Sequence, residues 1–239
     1  MTREILAILA MALILGVFVS VMVLSYRTEK RRQADYAALA ERRGLRFEFR
    51  RHQGRSPAEL RFAAPDGVSL VVTRKLSRKS GSSTTTTGGH SLFRANDPRM
   101  QGGMAVYAPQ MPAGVASAAA SLMGMFDNSL AKMILGKLLG DEIGAYLGQM
   151  DDVAPPQGVA LTILATANPN AQFDAGAIAH AIEAAPHSRN AEARTMVLLG
   201  ESGMQLRVGQ ALNEATEIEQ LFDAGLALRT ALLAQRASS

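Results

Sequence analysis

The chain has 239 residues, a formal net charge of +4 and no cysteine. The missing thiol excludes disulfides, iron–sulfur ligation and thiol catalysis. Hydrophobic residues make up 48% of the sequence, enough to build a packed core and too many for a disordered chain.

Residues 1–4 form a short tail. Residues 5–24 carry no charged side chain and nothing more polar than Ser20. A helix rises 1.5 Å per residue, so roughly 20 apolar residues match a hydrocarbon core of about 30 Å. The expectation is one N-terminal, single-pass transmembrane helix over residues 5–24. A cleaved signal peptide would have a shorter apolar region followed by a small-x-small site. Here Ser25, Tyr26 and Arg27 follow instead. Within the segment Ala12, Gly16 and Ser20 recur every four residues, the spacing of a helix face on which a second helix packs closely.

Arg27, Lys30, Arg31 and Arg32 come directly after this segment, while Arg3 before it is offset by Glu4. The positive-inside bias then places the C-terminal domain in the cytoplasm, at a plasma (inner) membrane. The same four cations are the expected contacts for anionic lipid. The charge is split along the chain. Residues 26–79 hold 15 Lys/Arg and 6 Asp/Glu, a net +9, whereas residues 80–239 hold 9 and 14, a net −5. Nucleic acid is the other polyanion such a split would suit, but no nucleic-acid fold signature accompanies it and aromatics are scarce, which disfavours that partner.

Residues 25–43 read as a basic juxtamembrane helix or stalk, stopped by Gly44. Residues 44–112 read as a basic β-rich region. Leu45 to Phe49 alternate with a period of two, residues 58–63 and 68–76 supply two more strands, and Pro65-Asp66-Gly67 turns between them. Residues 80–89 form a Gly/Ser/Thr tract, a mobile loop or an edge strand by composition. Short strands follow at residues 91–94 and 104–108. Residues 113–150 are rich in Gly, Ala and Met and read as helical. Gly136, Gly140, Gly144 and Gly148 share one face at four-residue spacing, a second expected helix-packing surface. Residues 151–158 read as a linker and residues 159–239 as βαββα. Asn213 is the expected cap of the final helix.

Chemical motifs are sparse. His180, Glu183 and His187 would share a face on an unbroken helix, but Pro186 interrupts it. Gly200-Glu201-Ser202-Gly203 suits a hairpin turn better than a nucleophile elbow. Walker and dinucleotide fingerprints are absent, and no cofactor or metal is expected. Lys75, Arg78 and Lys79 beside a Ser/Gly tract suit a solvated loop better than a phosphate site.

The expected fold class is α+β: one N-terminal transmembrane helix followed by a soluble domain of antiparallel strands with packed helices. The expected function is a non-enzymatic interaction or scaffold module at the membrane, contacting the lipid bilayer and either itself, as a homo-oligomer, or a protein partner. Two alternatives stay open. One is a membrane-bound hydrolase or lipid-handling enzyme with an atypical site, and the other is an anionic-lipid-binding module built on the basic half.

Overall fold

The computed structural model describes residues 2–54, 56–80, 83–110, 146, 149–187 and 195–237, with side chains except at 2–10, 12, 77–80, 83–87 and 236–237. Helix α1 is Thr2–Arg42. Strands β1 (Arg46–Arg50), β2 (Glu59–Ala63), β3 (Ser69–Thr73), β4 (Leu76–Ser80), β5 (Ser83–Thr87), β6 (His90–Ala95) and β7 (Met104–Pro109) come next. Strands β8 (Asp151–Val153) and β9 (Leu161–Ala165), helix α2 (Ala175–Ala184), strands β10 (Thr195–Gly200) and β11 (Gly203–Val208), and helix α3 (Ala215–Ala237) complete the order.

Nine strands form one sheet in the order β1-β2-β3-β6-β11-β10-β7-β9-β8, and every pairing in it is antiparallel. Strands from both halves of the sequence therefore share a single sheet. Residues 151–153, at the start of the linker expected from sequence, form its edge strand β8. β4 and β5 pair only with each other and continue the β3–β6 ladder past the sheet.

Alternation decides which side chains meet the helices. Phe47, Phe62, Leu70, Phe93, Leu206, Val197, Tyr107 and Ile163 point to one face, in register across eight strands. Tyr36, Leu39 and Ala40 of α1, Ile178 and Ile182 of α2, and Ile218, Leu221, Phe222, Leu228 and Leu232 of α3 close over it. Aromatic rings anchor both parts of this core. Phe47 and Phe62 lie 5.1 Å apart beside Tyr36, and Phe93 meets Phe222 edge-on at 5.7 Å. On the opposite face, over β7 and β10, Met104, Val106 and Leu198 pack with Tyr146, Met150 and Met196.

Among the described residues no helix is long and apolar enough to cross a membrane. This corrects the expected transmembrane, single-pass helix over residues 5–24. Those residues are not a separate element; they are the beginning of a 41-residue helix whose later turns are charged and pack on the sheet.

Candidate interaction surface

α1 has a docked part and a projecting part, and a few contacts set the division. Glu29 receives Arg74 at 2.9 Å, and the Arg74 guanidinium also lies 5.8 Å from the Phe49 ring centre. Two turns on, buried Tyr36 donates its hydroxyl proton to the carbonyl of Asn213 at 2.6 Å. Burial raises the Tyr36 pKa, so the phenol stays a donor. Arg43 then reaches Glu219 and Asp223 of α3, each at 2.8 Å. Gly44 ends the helix with φ of 63°, as its position after the last turn requires.

Before Glu29 the helix leaves the sheet. Leu13, Ile14, Leu15, Val17 and Phe18 are all exposed, and near-consecutive residues 100° apart cover every side of a helix. Phe18 is 61% exposed, Leu24 63% and Tyr26 70%. Apolar surface on all sides of a helix is ordinarily covered by something else, because such a helix in water leaves its whole circumference unburied. Gly16 has open space where a side chain would begin, and Ser20 is exposed; the Ala12 side chain lies outside the described residues. Arg27, Lys30 and Arg31 are exposed at the root of the projection, and Arg32 is half-buried. The four cations thus stand within about a turn and a half of helix between apolar surface and folded domain.

The second expected packing surface, Gly136, Gly140, Gly144 and Gly148, lies outside the described residues. The histidines do not converge. α2 stops at Ala184, with Ala185 as its cap, so His187 is off the helix that carries His180 and Glu183. The carbonyl of His187 accepts from Gln210. Among the described residues no three His, Asp or Glu side chains are grouped to hold a metal. Glu201 and Ser202 turn the β10–β11 hairpin between paired Gly200 and Gly203. His90 sits at the start of β6 beside Thr73, 3.4 Å away. Burial, then the charges of Arg207 and Arg94, push its pKa down to about 4, so it is neutral at physiological pH. An open hollow lined by Asp97, Arg99, Gln101 and Glu201 lies at the other end of the sheet, with Arg99 3.7 Å from Asp97.

No protein-family model, no curated protein and no solved structure matches this chain.

Proposed function

We propose that the chain is a non-enzymatic interaction module that works at a lipid bilayer, making its contact through the apolar projection of α1 and the cationic turn of Arg27, Lys30, Arg31 and Arg32. The observation that carries this reading is the exposure of large apolar side chains around the whole circumference of α1 from Leu13 to Leu24. Burying one Leu or Phe side chain is worth about 1.5–3 kcal/mol, so several together supply a strong drive toward an apolar phase. The cations that follow suit the charged boundary of that phase, each gaining on the order of 1 kcal/mol near anionic headgroups. The folded domain is then held where a partner at the same surface can meet it.

The full-length chain is expected to float with phosphatidylcholine vesicles in a density gradient. Leu15→Asp combined with Phe18→Asp should weaken that association by roughly a hundredfold or more, because two buried side chains are lost and two charges must enter an apolar phase. Both positions are exposed in the fold, so the thermal transition of the domain should not move. Vesicle binding equal to that of the unaltered chain would overturn the proposal.

A further inference from the structure

Sheet register gathers positive charge at one end of the molecule. Arg50 stands opposite Glu59, Glu59 opposite Thr73, and Thr73 opposite His90, so these four residues form one row across β1, β2, β3 and β6. Arg51 leaves the sheet just past this row at the end of β1, and Arg74 and Lys75 leave it at the end of β3. Arg74 is the residue that holds Glu29 of α1. The end where these strands run out is therefore the end from which the apolar projection leaves, with Arg27, Lys30 and Arg31 beside it.

Several acids at that end are committed, while Glu214, just before α3, is exposed. Glu29 is paired with Arg74 and Glu48 with Arg50, while Glu217 accepts from the backbone N–H groups of Asn213 and Glu214 at the start of α3. Glu59 stands across from Arg50 in the row. Arg51 and Lys75 are exposed. The opposite end has the reverse character. Asp66 lies in the β2–β3 turn, Asp97 after β6, Glu201 in the β10–β11 turn and Asp151 at the start of β8. Arg99 and Arg229 pair there with Asp97 and Asp66, and Arg46 and Arg94 stand in the last row of the sheet at that end.

We infer that the sheet end bearing Arg51 and Lys75 is a docking face for anionic lipid headgroups, which seats the domain on the bilayer with its acidic end turned away. The inference rests on the bilayer reading of α1 given above and extends the contact from the helix into the sheet. An anionic surface is favoured over nucleic acid because the cations flank an all-round apolar projection, which a lipid surface covers and a nucleic acid does not.

The test compares the full-length chain on vesicles of phosphatidylcholine alone and of phosphatidylcholine with phosphatidylserine. The unaltered chain should bind the mixed vesicles more tightly, and salt should remove the difference. Arg51→Glu with Lys75→Glu should lower affinity for the mixed vesicles by roughly thirtyfold or more and leave binding to pure phosphatidylcholine unchanged. Retained binding to the neutral vesicles also shows that the variant is folded and that α1 still engages lipid. A variant that keeps its preference for phosphatidylserine overturns the inference alone. Failure of the unaltered chain to bind either vesicle overturns the bilayer reading as well. Displacement from mixed vesicles by single-stranded oligonucleotide, through Arg51 and Lys75, would assign the face to nucleic acid and overturn the lipid assignment.

Discussion

Gly225 marks the place where α3 comes nearest the sheet. A Cβ added there would lie 2.4 Å from the ring of Phe93, a buried side chain that is itself braced by Phe222. Alanine in a helix interior ordinarily gains about 1 kcal/mol over glycine. Here the ring must move within a close-packed core, at a cost of about 1–3 kcal/mol. Gly225→Ala is therefore expected to lower the urea midpoint, by the equivalent of about 1 kcal/mol net, and a raised midpoint would show that Phe93 moves freely. In the sequence Gly225 falls between Leu221, Phe222 and Leu228 at helical spacing, but nothing in that spacing shows which ring lies opposite. The start of the same helix shows a similar limit. Asn213 was the expected cap, yet its side-chain nitrogen donates back to the Ala211 carbonyl. Glu217 closes the helix end instead, accepting from the N–H groups of Asn213 and Glu214. Composition identified a helix start; the choice between two competent acceptors depends on the angle at which the chain enters the turn.

At the scale of elements, α1 is fastened by one part-buried hydrogen bond set among ion pairs. Surface ion pairs such as Arg42 to Glu219 contribute little. The Tyr36 hydroxyl differs, because removing it leaves the Asn213 carbonyl without its donor. Tyr36→Phe should cost about 1–2 kcal/mol in chemical unfolding. Unchanged stability would mean that the carbonyl finds another partner and that the bond does not hold the helix. The strand β1 was readable from alternation alone: Phe47 and Phe49 turn inward while Arg46 and Glu48 turn outward. Sheet order was not readable. β11 lies between β6 and β10, and its partner in β6 is more than a hundred residues away. A period of two tells a strand which face to bury and says nothing of which neighbour it will pair with. The exposed apolar surface of α1 was visible as a hydrophobic run, but the run did not disclose that its helix continues into the domain core. The clustering of Arg51 and Lys75 beside Glu29 was hidden for the same reason, since three segments distant in sequence meet there only through strand register.

For the whole molecule, acid should act in two stages. His90 has a folded pKa of about 4, against about 6.5 for an unfolded histidine. Between those values the unfolded chain takes up a proton that the folded one refuses, so stability falls as pH drops. Asp66 acts in the same sense in a lower pH window. The hydrogen bond from Arg229 holds its pKa below the usual range, so its stabilising contribution is present above about pH 4 and is lost on further acidification. Urea titrations at pH 7, 5 and 4 should show the first loss, and His90→Gln should flatten it; an unchanged slope would mean that another group carries it. α1 also has a mechanical consequence. Forty-one residues at 1.5 Å make one rod of about 61 Å with no joint between the docked turns and the projecting ones. Rotation is then transmitted without slack. Inserting a single residue near Thr28 would turn the projection by about 100° against the sheet, and a four-residue insertion would restore its heading to within about 40° while lengthening it by about 6 Å. The helix acts as a phase setting, fixing which way the domain faces with respect to whatever grips its tip.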